Sequence, residues 1–281
     1  MQHFTDVDEV EDDYVPPENK LGIAQEMACL TRLCHKNLIK LNEIIDDPKS
    51  KKVYLVMNFC SGGTLAQKLE ARKNGLPEDE VREYFRSLIS AIHYCLVVHQ
   101  ISHRDIKPEN LMLDESGQVY LTDFGCSEFF KKDEDLSKAT KGTYLFMAPE
   151  MFESNKEKKV VKGHALDIWA AGVTLYNLLT NEHPYKVKSV FELMNKVKQE
   201  KPNIEGLGEG REDLKKLLEG LLEKDPEKRL KIDDIITDSW VTSNGEYPID
   251  LDMSESGTNS QQRDISNDDS FSDFNNRSLC I

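Results

Sequence analysis

The feature that most constrains this chain is a run of charged and amide side chains at residues 102–110, with the sequence Ser-His-Arg-Asp-Ile-Lys-Pro-Glu-Asn. Two shorter motifs follow in order, Asp-Phe-Gly at 123–125 and Ala-Pro-Glu at 148–150. Polar groups so far apart in sequence act together only when the fold brings their loops into one cleft. The sequence therefore predicts a fold in which the loop at 102–110 lies beside the segment at 123–125.

The chemistry available to these motifs is phosphoryl transfer. Asp105 can accept the proton of a substrate hydroxyl, and Lys107 can neutralise charge on a phosphoryl group in transit. Asn110 and Asp123 carry oxygen donors that can hold Mg²⁺ against nucleotide phosphates. The alternative is that these are ordinary surface side chains, but it would have to explain several specified positions in one loop and two ordered motifs downstream.

The motifs resemble those of the eukaryotic protein kinases, and Lys107 followed by Pro-Glu-Asn resembles their serine/threonine branch. Four further segments resemble the calcium/calmodulin-dependent kinase kinases, namely residues 25–28, 41–48, 146–150 and 165–169. The resemblance implies an α+β fold with a mainly helical large lobe and a small β lobe. It also implies serine/threonine kinase activity, with ATP and Mg²⁺ as cofactors and proteins as substrates.

The resemblance also assigns supporting roles to residues outside the loop at 102–110. Glu150 is expected to form a buried ion pair with Arg229. Asp167 is expected to accept hydrogen bonds from the backbone of the catalytic loop, which is the loop at 102–110. Thr143 is expected to contact the carboxylate and the lysine of that loop, and so to help place the hydroxyl of the substrate.

Between the Asp-Phe-Gly and Ala-Pro-Glu motifs, Thr140 occupies the position whose phosphorylation orders this segment in many relatives. Arg104 is the expected partner of that phosphate, because a phosphate adds about −1.5 to −2 charge and bonds strongly to guanidinium groups. Regulation by an upstream activating kinase is therefore expected. The alternative is that Thr140 is only a polar residue of the loop.

The adenine pocket is also assigned by resemblance. Met57 is expected to be the gatekeeper, Asn58 and Cys60 to offer backbone hydrogen bonds at the hinge, and Met112 to form the floor. The alternative is that these four residues are ordinary strand and core positions.

The N-terminal part of the chain departs from the family pattern. Nothing before Glu26, the expected helix glutamate of the small lobe, offers a glycine-rich turn, and Lys20 lies too close to Glu26 to be the strand lysine. Residues 12–19 resemble part of an insertion that precedes this helix in the kinase kinases. We therefore expect an incomplete small lobe, as in a truncated form, and weak nucleotide binding. The alternative function is a pseudokinase-like module that binds or scaffolds partners without catalysis.

Hydrophobic periodicity predicts the main elements around the motifs. The segment at 165–179 is apolar on nearly all sides, which predicts a helix at the centre of the domain. The other predicted elements are a helix at 21–33, strands at 38–45 and 53–59, and helices at 64–73, from 77 onward, at 214–222 and at 232–240.

The net charge of −15 is concentrated at the two ends of the chain. Residues 1–19 and 242–281 contribute −7 and −6, which leaves −2 for residues 20–241. We expect disordered acidic segments on either side of a kinase domain at 20–241, and no nucleic-acid partner. No apolar run is long enough to span a bilayer, and the six cysteines lack metal-site spacing, so we expect no membrane partner and a reducing location in the cytoplasm or nucleus.

Overall fold

A computed structural model of the chain describes residues 17–46, 52–130, 137–138, 142–152 and 160–251. Thr140 lies outside the described residues, as do residues 1–16 and 252–281, which make up most of the two acidic segments.

The described α-helices place one apolar helix at the centre of the core. They are α1 (Pro17–Leu30), α2 (Leu65–Glu70), α3 (Glu78–His93), α4 (Gly163–Thr180), α5 (Val190–Gln199), α6 (Glu212–Leu221), α7 (Ile232–Ile235) and α8 (Ser239–Thr242). Helix α4 packs against α3 and α6, and its residues Trp169 and Tyr176 are each 1% exposed. Helix α4 is surrounded because its sequence is apolar on nearly all sides. None of the described helices is long and apolar enough to cross a lipid bilayer.

The described strands are short and pair antiparallel. They are β1 (Leu41–Asp46), β2 (Val53–Met57), β3 (Gly63–Thr64), β4 (Ile101–Ser102), β5 (Leu111–Leu113), β6 (Val119–Leu121), β7 (Glu128–Phe129), β8 (Ser137–Lys138) and β9 (Val160–Val161). Their sheets are β1–β2, β3–β5–β6, β4–β7 and β8–β9. This mixture of helices and small sheets confirms the predicted α+β class.

Strand pairing brings the two motif-bearing loops together. The loop at 103–110 runs from β4 to β5, and the loop at 122–127 runs from β6 to β7. Because β5 pairs with β6 and β4 pairs with β7, both ends of one loop lie beside the ends of the other. The cleft that the motifs require is therefore a product of sheet pairing.

The hairpin β1–β2 and helix α1 form an N-terminal layer, in which the apolar cover of the hairpin is sparse. Met27 of α1 and Val53 of β2 are buried in a small cluster of their own, with Ile44 and Leu55 packed against it. Tyr54 in the same strand is 54% exposed, however. Phe59, two residues beyond β2, is 88% exposed. Cys29 and Leu30 at the end of α1 are buried in the main core, so the sparse apolar cover is a property of the hairpin.

Helices α1 and α2 end three residues earlier than the sequence predicts, and two further differences change the number of helices in the described part. The segment at 232–240 contains two helices, because the Asp238 side chain accepts hydrogen bonds from the backbone N–H groups of Trp240 and Val241 and so begins α8. Helix α5 has no counterpart among the predicted helices. Leu193 and Val197 are buried on one side of it, four residues apart.

Residues beyond 241 continue along the surface of the core as far as Leu251. The Asp250 carboxylate pairs with Lys36 (Oδ2–Nζ 2.5 Å), and its carbonyl oxygen accepts a hydrogen bond from the Ser90 hydroxyl at 3.0 Å. The guanidinium of Arg86 lies over the ring of Tyr247. Contacts with the core therefore extend about ten residues past residue 241, where the sequence predicts the end of the domain. The domain boundaries stay a prediction.

A buried ion pair joins the Ala-Pro-Glu motif to the C-terminal helices. Arg229 Nη1 and Nη2 donate to the two carboxylate oxygens of Glu150 at 2.7 and 3.0 Å. The same guanidinium also donates to the carbonyl oxygens of Ala165 and Glu223. The side chains of the pair are 0% and 6% exposed, so neither charge can be satisfied by water if its partner is removed.

Arg229→Ala is expected to lower the free energy of unfolding by ~3–5 kcal/mol, because Glu150 would remain a buried charge without its partner. Urea unfolding followed by circular dichroism measures this change. The control is Lys162→Ala, which removes an exposed ion pair with Glu227 and is expected to cost at most ~1 kcal/mol. Equal unfolding midpoints for the two variants would contradict a structural role for the buried pair.

Candidate active site

The start of the catalytic loop is hydrogen-bonded to one carboxylate of the central helix α4. Asp167 in α4 accepts hydrogen bonds from the backbone N–H groups of His103 (2.8 Å) and Arg104 (2.7 Å) and from the Ser102 hydroxyl (3.0 Å). Burial raises the pKa of Asp167, although these hydrogen bonds act in the opposite direction. The loop therefore has a fixed backbone at its start, directly before Asp105.

Asp105 lies at the centre of a compact polar cluster. Its carboxylate accepts hydrogen bonds from Lys107 Nζ (2.6 Å), from the Thr143 hydroxyl (2.9 Å) and from the Thr143 backbone N–H (3.0 Å). Lys107 Nζ also donates to the Thr143 hydroxyl at 2.8 Å. Burial alone would raise the pKa of Asp105, but the hydrogen bonds from Lys107 and Thr143 outweigh it and hold the pKa below its usual value. Asp105 is therefore an ionised acceptor at neutral pH.

Asn110 and Asp123 approach the cleft from adjoining backbones. The backbone N–H and the hydroxyl of Thr122 both donate to the carbonyl oxygen of Asn110, at 3.0 and 3.1 Å. Asp123 follows directly at φ +63°, and its Oδ1 accepts from the Gly125 N–H at 3.2 Å. The Asn110 amide donates to Asp105 Oδ2 at 3.1 Å. The four predicted motif residues therefore share one neighbourhood.

The Asn110 amide and the Asp123 carboxylate fit a magnesium ion that is bound to a nucleotide. Both carry hard oxygen donors, and Mg²⁺ usually takes one or two protein ligands together with water and phosphate oxygens. Across the described ranges, no group of three or more His, Cys, Asp or Glu side chains is placed to hold a metal by itself. The pair would hold magnesium jointly with phosphate oxygens.

The predicted adenine-pocket residues follow the connection between the N-terminal layer and the core. Met57 ends β2 and is 40% exposed, whereas Cys60 is buried. The backbone N–H of Asn58 donates to the carbonyl oxygen of Lys40 at 3.1 Å, so a hinge bond from Asn58 would use its carbonyl oxygen. Met112 lies in β5, the middle strand of its sheet. The adenine pocket stays a prediction.

Arg104 has an acidic neighbour within the fold. Its Nη1 lies 2.5 Å from Glu128 Oε2, and the Arg104 side chain is only 5% exposed. Because Thr140 lies outside the described residues, its predicted phosphate contact with Arg104 is still a prediction. Glu128 has little signal in the sequence: an acid three residues after Asp-Phe-Gly does not by itself indicate a partner 24 residues away.

A sequence model of the protein kinase domain matches residues 8–241 of the chain. The chain belongs to the protein kinase domain family. Curated relatives support the serine/threonine branch: the serine/threonine-protein kinase ppk34 of Schizosaccharomyces pombe is 36% identical over 252 residues, which are 87% of this chain and 69% of that protein. The predicted kinase resemblance is confirmed.

Two further relatives are longer than this kinase chain. The calcium/calmodulin-dependent protein kinase kinase of Caenorhabditis elegans is 35% identical over 82% of this chain and 42% of its own length. The serine/threonine-protein kinase ssp1 of S. pombe is 37% identical over 79% of this chain and 34% of its own length. The kinase chain therefore spans well under half the length of these two proteins, and about two thirds of ppk34.

Glu26 of the kinase chain lies on α1 next to the Asp-Phe-Gly motif. A Cβ atom added to Gly125 would lie 3.2 Å from Asp123 Oδ1 and 3.8 Å from Glu26 Oε2, so both carboxylates face this glycine. Burial, followed by the nearby charge of Asp123, raises the pKa of Glu26 from 4.5 to about 6. Compared with the unfolded chain, the folded kinase therefore binds the Glu26 proton more tightly, and at neutral pH Glu26 carries a charge that its surroundings disfavour.

Glu26→Gln is expected to stabilise the kinase at neutral pH. Between pH 4.5 and about 6 the folded state binds the Glu26 proton more tightly than the unfolded state does, so this group's contribution to stability falls as the pH rises through that range. Glutamine removes the penalty, which is of order 1 kcal/mol at about pH 7.5 after screening by solvent at this half-buried site.

Thermal unfolding of Glu26→Gln and its parent at about pH 4.5 and 7.5 tests this expectation. At about pH 7.5 the variant should melt at a higher temperature than its parent, and this difference should disappear at about pH 4.5. Glu83→Gln, a change at an exposed position of α3, provides the control. A pH-independent difference would show that Glu26 carries no unfavourable charge in the folded kinase.

Proposed function

We propose that this chain transfers the γ-phosphoryl group of ATP to serine or threonine hydroxyls of protein substrates, with Mg²⁺. The observation that carries the proposal is the cluster in which the Asp105 carboxylate is bonded to both Lys107 and Thr143, with the Asn110 amide 3.1 Å from the same carboxylate. The similarity to serine/threonine-protein kinases supports the same reaction.

Each member of the cluster has a separate task. Asp105 is ionised and acts as the acceptor that orients the substrate hydroxyl and takes its proton. Lys107 places a positive charge 2.6 Å from that carboxylate, where it can stabilise charge on the transferring group. Thr143 bonds to both and fixes their separation. When bound, magnesium would offset the negative charge of the phosphates.

Partners and location are further parts of the proposal. An upstream kinase is proposed to act on Thr140, and the chain is proposed to work in the cytoplasm or nucleus, without a nucleic-acid or membrane partner. Support for the location comes from the cysteines: within the described part of the chain they are free thiols, as is usual in reducing compartments.

Asp105→Asn is expected to lower the rate of phosphate transfer by a factor of ~10²–10⁴, because the asparagine amide cannot take up a proton in the transition state. The assay follows transfer of labelled γ-phosphate from magnesium-ATP to a generic protein such as casein, and phosphoamino-acid analysis identifies the acceptor. Asp79→Asn, at a side chain that is 94% exposed, should match the parent.

The same assay distinguishes a kinase from the alternative function, a pseudokinase-like binding module. If Asp105→Asn and the parent transfer phosphate at equal rates, the chain is not acting as a kinase through this site. Calorimetric titration with magnesium-ATP then measures whether the nucleotide binds at all. Parent activity that does not exceed that of Asp105→Asn would support a pseudokinase-like binding module.

A further inference from the structure

We propose that Glu128 is a positioning residue for phosphoryl transfer, which holds Arg104 and thereby the backbone from which Asp105 projects. The proposal rests on the proposed kinase function for its catalytic consequence. The central point is that Arg104 is paired with an anion of this chain, the Glu128 carboxylate of β7.

The contact between these two residues is short and largely shielded from water. Arg104 Nη1 lies 2.5 Å from Glu128 Oε2, and the two side chains are 5% and 24% exposed. An ion pair with so little access to solvent is screened weakly by salt, and a hydrogen bond between two ionised groups is stronger than a neutral one. The exposed ion pairs of this chain, such as Lys162 with Glu227, lack that shielding.

Backbone pairing fixes Glu128 beside the catalytic loop. In the antiparallel pair of β4 and β7, Ser102 lies opposite Glu128. Arg104 is two residues beyond Ser102, so its side chain reaches back to the same strand. The Ser127 hydroxyl also donates to the carbonyl oxygen of His103 at 3.4 Å. The position of the Glu128 carboxylate is thus set by a strand that belongs to the segment after Asp-Phe-Gly.

The backbone of Arg104 needs such support. Its φ is +68°, in the left-handed region that residues other than glycine seldom adopt, and such a conformation persists where surrounding contacts determine it. Asp167 holds the Arg104 N–H from one side, and Glu128 holds its side chain from the other. A Cβ atom on Gly142 would lie 2.7 Å from the Arg104 carbonyl oxygen, so the segment leading to Thr143 packs closely over this residue.

Asp105 follows Arg104 directly and accepts two of its hydrogen bonds from Thr143, which follows Gly142. A change in the conformation of Arg104 would therefore displace both the carboxylate and the residue that orients it. A phosphate on Thr140 could supply a larger charge, but the Glu128 carboxylate already gives Arg104 an anionic partner. The loop can then reach its working geometry without phosphorylation, and the proposed phosphate on Thr140 would modulate an arrangement that Glu128 already holds.

The test is Glu128→Gln, with Glu128→Asp as the conservative variant and Glu227→Gln as the matched surface control. We expect Glu128→Gln to lower kcat by about 10- to 100-fold, because a hydrogen bond between charged groups is lost. The KM for ATP should change much less, since the residues proposed to bind nucleotide are not altered. Aspartate should restore part of kcat, and Glu227→Gln should match the parent.

Hydrogen–deuterium exchange separates this proposal from the proposed function, because it needs no catalysis. The amides of residues 103–107 should exchange faster in Glu128→Gln than in the parent and in Glu227→Gln. Unchanged exchange in that loop overturns the proposal whether or not the chain is active. Faster exchange in a chain that transfers no phosphate supports the positioning of the loop while the kinase function fails.

Phosphatase treatment supplies the second discriminating readout. The treated parent should keep its kcat, and treated Glu128→Gln should remain impaired. If phosphatase removes the activity of the parent, a phosphate and not Glu128 positions the loop, and the proposal is wrong. A second result would also overturn the proposal: a fall in kcat that comes with a large fall in melting temperature and that Glu128→Asp does not reverse. That pattern indicates a general loss of folded protein.

Discussion

The hydrogen bonds that Asp167 accepts from the catalytic loop are the interaction on which the rest of the site depends. A carboxylate that is almost completely buried in α4 would be unfavourable without partners, and the N–H groups of His103 and Arg104 together with the Ser102 hydroxyl provide them. The loop in turn gains an anchor in the most enclosed helix of the domain. The position of Asp105 therefore depends on the packing of the helical core around α4.

This anchor explains how a site made from loops can be precise. Loops usually have fewer constraints than helices and strands, yet function concentrates in them when a rigid scaffold holds them. Here the scaffold contributes three kinds of support: a buried acceptor below the loop, strand pairs at its two ends, and the Thr143 segment above it. Each support comes from a different part of the sequence, so the site exists only in the folded domain.

Because the contacts that form the site come from distant parts of the sequence, only some of its features could be predicted from the sequence. Motif residues such as Asp105 and Asp123 could be singled out because their order and spacing are specific, and the apolar pattern at 165–179 indicated the central helix. The kinase family and the α+β class are confirmed. The pairing of Arg104 with Glu128 could not be predicted, because it depends on the register of two-residue strands far apart in sequence. The division between α7 and α8 depends on one capping side chain, Asp238.

The sparse packing of the hairpin β1–β2 in the N-terminal layer has a consequence for ligand affinity. A two-stranded hairpin is marginal by itself, and segments with few buried apolar contacts open at a lower free energy than the core around them. Opening of the hairpin β1–β2 would leave most of the helical core intact, as a partial unfolding step. Any ligand that needs both layers binds only the closed fraction of molecules, so its apparent dissociation constant rises as that fraction falls. A second polypeptide that covered Tyr54 and Phe59 would raise the closed fraction and tighten nucleotide binding without touching the nucleotide.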